Sequence, residues 1–198
     1  FDVQIKRIHE YKRQLMKALH LLMLYFEMKE NPQLHRIKRF AIFGGKAAPG
    51  YQAAKNIIRF IYCLSRKINK DPDTHEKLKV VFIENYNVSR AEIIIPGTDL
   101  SEQISTAGME ASGTGNMKFS INGALTIATD DGANVEMRES VTDPWWPFKF
   151  GASAEDINDM KQKHSYNPLE IYAKEPKIKQ VLTALKERFL AENDAEHE

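Results

Sequence analysis

The stretch with the most evident chemistry runs from Glu110 to Lys118, where two glycines and small polar residues precede a lysine. Glycines let successive backbone N–H groups converge on a phosphate, and a helix that starts just after them adds the positive end of its dipole. Lys118 is flanked by Met117 and Phe119, and apolar neighbours that desolvate a lysine lower its pKa. A neutral amine condenses with an aldehyde, so the stretch predicts a phosphate site beside a nucleophilic lysine.

Spacing alone leaves blander interpretations open. Glycine-rich loops near a lysine are common, and this loop lacks both the Walker spacing and the third glycine of a dinucleotide site. A second such loop, Gly44 to Gly50, is equally ambiguous. There we favour a structural turn before a helix, with Pro49 as the first helical residue and Lys46 solvated.

A third candidate is the run of cationic and titratable residues from Lys6 to Arg13. It lies at the carboxyl end of a predicted strand and the start of a predicted helix, where open α/β sheets bind ligands. Cations at a helix N-terminus oppose the helix dipole, so a bound anion explains the run better than a solvated basic helix start, which remains the alternative.

The hydrophobic pattern predicts the scaffold that brings these segments together. Alternating apolar residues predict a strand in 1–8, and helical spacing predicts a helix over 11–30. The same reasoning predicts strands at 39–43, 78–83 and 125–128 and helices at 52–68, 89–95, 157–163 and 178–191. Strands that alternate with helices predict an α/β fold with a doubly wound, Rossmann-like parallel sheet.

Composition limits the possible functions. With 198 residues, 42% of them hydrophobic, the chain can bury one sizeable core. Its formal net charge of +1 predicts no binding to nucleic acid, and no apolar stretch is long enough for a membrane span. The single cysteine, Cys63, is expected to be a buried thiol, and the start at Phe1 without a leader predicts a piece of a longer cytoplasmic protein.

Four segments in consistent order resemble the α-glucan (glycogen, starch and maltodextrin) phosphorylases. The longest, Glu110 to Met137, is similar to the family's signature for attachment of pyridoxal phosphate (PLP). The other segments that match the family pattern are 1–14, 44–51 and 99–108.

The resemblance implies an enzyme that cleaves terminal α-1,4-glucosidic bonds with orthophosphate and releases α-glucose-1-phosphate. It implies a position within the C-terminal domain of a two-domain fold of the glycosyltransferase GT-B type. Residues 1–137 would form the PLP-binding core, 138–191 an aromatic loop and helical extension, and 192–198 a disordered tail. The expected partners are the glucan, the phosphate, an N-terminal domain and a second subunit of a homodimer, but no metal. Without that domain the piece is expected to be inactive and to expose apolar surface.

The resemblance also implies roles for individual residues. Lys118 would hold PLP through a Schiff base, while the 5′-phosphate of PLP, with a second pKa of about 6, would exchange the proton with the substrate phosphate. The other implied PLP contacts are Lys6, Tyr86, Gln103, Thr114 and Gly115. The implied substrate contacts are Arg7 and Lys12 for the phosphate and Glu110, Ser112 and Gly113 for the glucosyl hydroxyls. The cations would offset the repulsion between two phosphates.

The chain departs from the family pattern at a few positions. Asn87 stands where animal members carry an arginine, Asp130 stands where the family has leucine or methionine, and the loop Trp145-Trp146-Pro147 is not assigned to a pattern of the family. Two other functions stay open. One is a non-catalytic Rossmann-like module that binds a nucleotide or phosphorylated sugar through 113–115, and the other is a regulatory module without turnover.

Overall fold

A computed structural model of the chain describes residues 1–33, 36–141, 146 and 148–191. The strands are β1 (Asp2–Ile5), β2 (Arg39–Gly44), β3 (Leu78–Ile83), β4 (Leu100–Gln103) and β5 (Leu125–Ala128). The helices are α1 (Gln14–Glu30), α2 (Gln52–Lys70), α3 (Val88–Ile94), α4 (Gly115–Ile121), α5 (Ala133–Val141), α6 (Ala154–Gln162), α7 (Pro168–Lys174) and α8 (Pro176–Lys186), and a short 3-10 helix (Glu10–Lys12) precedes α1. Most of the aromatic loop and the expected disordered tail 192–198 lie outside the described residues.

The five strands form one sheet in the order β3-β2-β1-β4-β5, and each neighbouring pair is parallel. The predicted doubly wound, Rossmann-like sheet is therefore confirmed. The chain builds outward from β1 to one edge and then returns to build the other, so the strand order reverses between β1 and β4. Ligands bind at such a reversal, beyond the carboxyl ends of the strands.

The two central strands pair over a short stretch. Their ladder covers only Asp2 with Leu100 and Val3 with Ser101, so the remaining residues of β1 and β4 are not paired with each other. The segments that leave β1 and β4 at this reversal point both carry predicted site residues.

Two apolar clusters hold the helices against the sheet, one on each face. On one face, α1 and α2 bury residues at helical spacing, including Leu21, Leu22, Ile61 and Leu64, and Val181 of α8 joins them. On the other face the cluster is smaller and consists of Val3, Ile5, Ile95, Phe119 and Ala124. Phe119 attaches α4, which carries Lys118, to the back of β1.

Several boundaries differ from the predictions. The helix expected from Tyr11 begins at Gln14, because Arg13 has a left-handed backbone (φ 59°) that interrupts it. Pro49 is not the first helical residue, since α2 begins at Gln52 and Pro49 lies in the preceding loop. Cys63 is partly exposed instead of buried, because it lies at the edge of the apolar face of α2, next to the exposed Tyr62.

The extension after β5 stays close to the core. The side chain of Gln180 in α8 donates to Glu30 of α1 at 2.6 Å, and the division of the chain at residue 137 stays a prediction. Large apolar side chains of α3 and α4 are open to solvent: Val88, Ile93 and Ile121 are exposed by 75%, 76% and 85%. These side chains agree with the expected exposed apolar surface.

Candidate functional site: an anion site at the strand reversal

The segment after β1 is held in an extended path beside the glycine-rich loop after β2. Lys6 N donates to Gly44 O at 2.9 Å, and Ile8 N donates to Lys46 O at 3.1 Å. A Cβ on Gly45, whose φ is 149°, would lie 1.8 Å from Lys6 O. The glycine therefore permits the close approach of two backbones, which confirms the structural interpretation of this loop, and Lys46 is exposed as predicted.

The end of the cationic run from Lys6 to Arg13 is hydrogen-bonded to the residues that follow β4. Arg13 Nε donates to Ile104 O at 2.6 Å, and Thr106 N donates to Tyr11 O at 2.8 Å. Arg7 and Lys12 consequently precede α1 instead of occupying its first turn. The expected conflict between these cations and the dipole of that helix does not arise, so the dipole argument for a bound anion does not apply to this structure.

Lys6 is central to that geometry. Its Nζ donates to Gln103 Oε1 at 2.7 Å, which links the ends of β1 and β4. Burial and the neighbouring ammonium of Lys12 lower the pKa of Lys6 to about 8, although Glu110 and Glu102 oppose the shift. A lysine held beside another cation in a poorly solvated place is an arrangement that a bound anion would stabilise.

Lys12 forms an ion pair with Glu110, and Tyr11 Oη donates to the same carboxylate at 3.4 Å. Burial by itself lowers the pKa of Lys12, but the hydrogen bonds to Glu110 and Tyr11 outweigh it, so the pKa lies above its ordinary value. Tyr11 also lies under the ammonium, with Nζ 4.7 Å from the ring centroid. Lys12 therefore stays cationic, and its position is coupled to that of Glu110.

The remaining cation, Arg7, is exposed. In the described part of the chain its guanidinium has no hydrogen bond or ion pair, although its backbone oxygen accepts from Gln14 Nε2 at 2.9 Å. Tyr86 is half-buried against the cluster that contains Ile5, and burial raises the pKa of its phenol. Asn87 caps α3 by accepting from Arg90 N at 3.1 Å, which gives this departure from the family pattern a structural role.

The predicted lysine, Lys118, lies in α4 and is exposed. The expected desolvation by Met117 and Phe119 is wrong for this chain, because Phe119 turns into the core while Met117 is itself 38% exposed. The helix does begin at the glycines, as predicted. Among the described residues, the backbone N–H groups of Thr114 and Gly115 have no hydrogen-bond acceptor, and a Cβ on Gly115 would meet nothing within 4 Å.

The residues that follow β5 hold the loop with Ser112 and Gly113 through hydrogen bonds. Ala133 N donates to Ser112 O at 2.7 Å, and Asp131 accepts from the backbone N–H of Glu110 at 2.8 Å. Sequence reasoning assigned no role to Tyr11 or Asp131. Their position inside the two longest matching segments was the available signal.

The structure brings Lys6, Lys12, Gln103 and Glu110 into one connected group of hydrogen bonds and close charges. Ser112 lies on the same loop as Glu110, where its backbone oxygen accepts from Ala133 N. No hydrogen bond or ion pair joins the side chains of Arg7, Tyr86, Thr114 or Lys118 to that group within the described residues. Those same residues contain no cluster of ligands suited to a metal ion, and none of their helices is long and apolar enough to cross a membrane.

The fold is that of a doubly wound α/β protein, and the linked group of Lys6, Gln103, Lys12 and Glu110 lies at its strand reversal, where such folds bind ligands. Comparison with known families makes the class specific: the chain belongs to the carbohydrate phosphorylase family, whose model matches residues 1–198. The resemblance found in the four segments is thereby confirmed.

Individual relatives agree with this family. A glycogen phosphorylase of Chlamydia pneumoniae is 55% identical over 194 residues, which are 98% of this chain and 23% of that protein. The muscle form of glycogen phosphorylase from Homo sapiens is 51% identical over 191 residues, which are 96% of this chain and 22% of that protein. The muscle form from Oryctolagus cuniculus has the same identity and coverage. The chain thus spans less than a quarter of each of these relatives.

Proposed function

We propose that the protein containing this chain is an α-1,4-glucan phosphorylase, which uses orthophosphate to cleave terminal α-1,4-glucosidic bonds and releases α-glucose-1-phosphate. The observation that carries the proposal is the linked group of Lys6, Gln103, Lys12 and Glu110 at the strand reversal. It combines cations for a phosphate with a carboxylate that can accept hydrogen bonds from a sugar. The names of the relatives support the same activity.

We propose PLP as the cofactor, because the described residues fit it. Lys118 supplies an exposed amine. The backbone N–H groups of Thr114 and Gly115 have no acceptor among the described residues, and a Cβ on Gly115 would meet nothing within 4 Å, so a phosphate could be held there. Tyr86 and Gln103 would line the cofactor. When bound, PLP supplies a phosphate monoester with a second pKa of about 6, which exchanges protons near neutral pH.

The cations of the chain would overcome the main electrostatic obstacle of this chemistry, which is the repulsion between two phosphates. Lys6, with its pKa of about 8, is mostly protonated at neutral pH and would lie beside the cofactor phosphate. Arg7 and Lys12 would hold the substrate phosphate, and Arg7 is free to do so because no described residue engages its guanidinium. Fixed cations in a poorly solvated place stabilise developing negative charge better than water does.

Lys12 would contact the substrate phosphate, and the loop that contains its partner Glu110 would orient the sugar. Glu110, Ser112 and Gly113 belong to one loop that is supported by backbone hydrogen bonds. A glucosyl unit would donate hydroxyl hydrogens to the carboxylate of Glu110, which Lys12 and Tyr11 already hold in place. Because Lys12 would bind the phosphate and pairs with Glu110, the ion pair would fix the sugar relative to the phosphate.

The partners implied by this activity remain predictions. They are the α-glucan, an N-terminal domain of the same protein and a second subunit of a homodimer, in a cytoplasmic setting. Since the chain spans less than a quarter of its relatives, we expect the 198 residues alone to show no turnover.

The deciding experiment uses the full-length protein that contains this chain. It is incubated with PLP, reduced with borohydride and digested, and the pyridoxyl group is located by mass spectrometry; release of α-glucose-1-phosphate from glucan and orthophosphate is measured in parallel. We expect a stoichiometric label at Lys118, and both label and product should be lost in Lys118→Ala. Lys55→Ala, on the exposed side of α2, is the matched control and should retain both.

Other outcomes separate the competing functions. Saturable nucleotide binding without a label at Lys118 would favour the non-catalytic module. A label at Lys118 without product would favour the regulatory module.

A further inference from the structure

The carboxylate of Asp131 is almost fully buried, with 6% of the residue exposed, and both of its oxygens accept backbone hydrogen bonds. Oδ1 accepts from Gly108 N at 2.9 Å, and Oδ2 accepts from Glu110 N at 2.8 Å. The two donors are two residues apart on the loop that leads to Ser112. One side chain therefore fixes both the path of this loop and the backbone from which the Glu110 side chain extends.

Neighbouring residues after β5 hold the same loop at its two ends. Thr129 Oγ1 donates to Ser105 O at 2.6 Å, and Ala133 N donates to Ser112 O at 2.7 Å. A Cβ on Gly132, whose φ is 55°, would lie 2.3 Å from Ser112 O. The segment Thr129 to Ala133 thus forms a bracket along the loop from Ser105 to Ser112, with Asp131 at its centre.

The bracket reaches the anion site through Glu110. The carboxylate of Glu110 pairs with Lys12 and accepts from Tyr11 Oη, so a shift of its backbone changes where that carboxylate meets a ligand. The charge of Asp131 also opposes the lowering of the pKa of Arg13 by burial, and Arg13 holds Ile104 O and Ser105 O. Asp131 touches neither Lys6 nor Arg7 in the described contacts.

We propose that Asp131 is the positioning residue for Glu110 and thereby sets how strictly the site selects the hydroxyl pattern of the sugar. The part of this inference that concerns sugar selection rests on the proposed function. A site built to hydrogen-bond a hydroxyl rejects an analogue without it by a large factor, because a buried polar group is left unpaired. That factor depends on the placement of Glu110 to within a fraction of an ångström.

The chain offers a matched pair of variants in adjacent residues. Asp131→Asn keeps the shape of the side chain but sets an NH2 group against one of the two backbone N–H donors. Asp130 faces away, toward Arg138 at 3.0 Å and Lys149 at 2.6 Å, so Asp130→Asn is the control. Asp131→Glu, which keeps the charge but displaces it by one methylene, carries the test if Asp131→Asn does not fold.

The first readout is kinetic and uses the full-length protein. The ratio of kcat/KM for α-glucose-1-phosphate to kcat/KM for each of its monodeoxy analogues is measured in the direction of glucan synthesis, with the KM for orthophosphate measured in the reverse direction. We expect the largest ratio to fall at least tenfold in Asp131→Asn, while the KM for orthophosphate changes less than twofold. Asp130→Asn should match the wild type in both. An unchanged ratio, or a ratio and KM that change together, would overturn the inference.

The second readout does not depend on activity. Hydrogen exchange of peptides covering 105–113 is followed by mass spectrometry in the same proteins. We expect Asp131→Asn to accelerate exchange at Gly108 and Glu110 at least tenfold, and Asp130→Asn to leave it unchanged. Equal exchange in the two variants would overturn the positioning role, whether or not the protein releases glucose-1-phosphate. A lack of glucose-1-phosphate release would count against the proposed function instead.

Discussion

The ammonium of Lys6 lies 2.7 Å from Oε1 of Gln103 and joins two strands at the point where their backbones no longer pair. β1 and β4 share ladder positions only up to Val3 and Ser101, so this side-chain contact joins the two segments beyond their paired residues. Because the fold places the strand reversal here, the contact lies where a ligand of a doubly wound sheet is expected. Lys6 is thus a structural link, and the proposed function would make it a binding group as well.

Lys6 should therefore titrate well below an ordinary lysine. Competitive acetylation of the full-length protein freed of PLP, between pH 6 and pH 11 and analysed by mass spectrometry, should give Lys6 a pKa of about 8, because burial and Lys12 disfavour its charge. Lys12 should titrate above the ordinary value of 10.5. Saturating orthophosphate should raise the pKa of Lys6.

The control for this titration is Gln103→Met. It removes the acceptor of the Lys6 ammonium at similar volume, so the pKa of Lys6 should fall further. An ordinary lysine pKa at Lys6, or a pKa that orthophosphate leaves unchanged, would contradict the electrostatic description of the site.

Arg7 separates binding from stability. Its side chain is exposed and has no described partner, so Arg7→Gln should change the free energy of unfolding by less than about 0.5 kcal/mol. If Arg7 binds the substrate phosphate, the lost charge-assisted hydrogen bonds are worth about 1.5–3 kcal/mol, or roughly a 10- to 100-fold rise in the KM for orthophosphate. Steady-state kinetics and denaturant unfolding measure the two quantities.

Arg59→Gln, on the exposed side of α2, is the charge-matched control and should leave the KM for orthophosphate unaltered. A similar effect of both variants would mean that Arg7 contributes only to the general field of the protein.

Much of the fold follows from hydrophobic periodicity. The runs that became β3 and β5 were predicted with the bounds that the structure gives, because each is apolar enough to be recognised without context. β4 was missed since its residues Ser101, Glu102 and Gln103 are polar yet buried. Their burial depends on partners from distant segments, such as Lys17 and Lys6, which no local pattern contains.

The site shows the same division. The cationic segment and the glycine loop were visible as residue types, and the family resemblance ordered them. The ion pair of Lys12 with Glu110 joins residues 98 positions apart, so it could not be read from spacing. The exposure of Lys118 also depends on how α4 is rotated, which is set by Phe119 in the core.

Gly45 provides a sharp test of the loop that supports Lys6. In Gly45→Ala the new Cβ would meet Lys6 O at 1.8 Å, so the backbone of one of the two segments must move. We expect a loss of more than about 2 kcal/mol in the free energy of unfolding, by analogy with other strained backbone substitutions. The displaced Lys6 should also raise the KM for orthophosphate.

The same loop contains its own control. A Cβ on Gly50 meets nothing within 4 Å, and its φ is not positive, so Gly50→Ala should stabilise the fold by about 0.4–1 kcal/mol. Equal effects of the two variants in urea unfolding would show that the Gly45 backbone is free to adjust.

A buried cluster beneath the site predicts a pH dependence of stability. The ammonium of Lys17, which is fully buried, lies 2.8 Å from Asp2 and 3.2 Å from Glu102. Burial, together with the charge of Asp2, raises the pKa of Glu102 from 4.5 to about 8, although Lys17 opposes this. The pKa of Asp2 is lowered, because Lys17, Glu102 and Arg39 outweigh its burial. One negative charge is therefore shared at neutral pH.

The sign of the effect follows from the raised pKa of Glu102. Below pH 4.5 the folded and unfolded states both hold this proton, and the stabilisation is complete. Between pH 4.5 and about 8 only the folded state keeps the proton, so stability falls as pH rises, by at most about 1.4 kcal/mol per pH unit. Glu102→Gln removes this titration. The free energy of unfolding of the wild type minus that of Glu102→Gln should decrease from pH 5 to pH 9 in urea unfolding. A difference that stays constant between pH 5 and pH 9 would mean that Glu102 is already ionised in the fold.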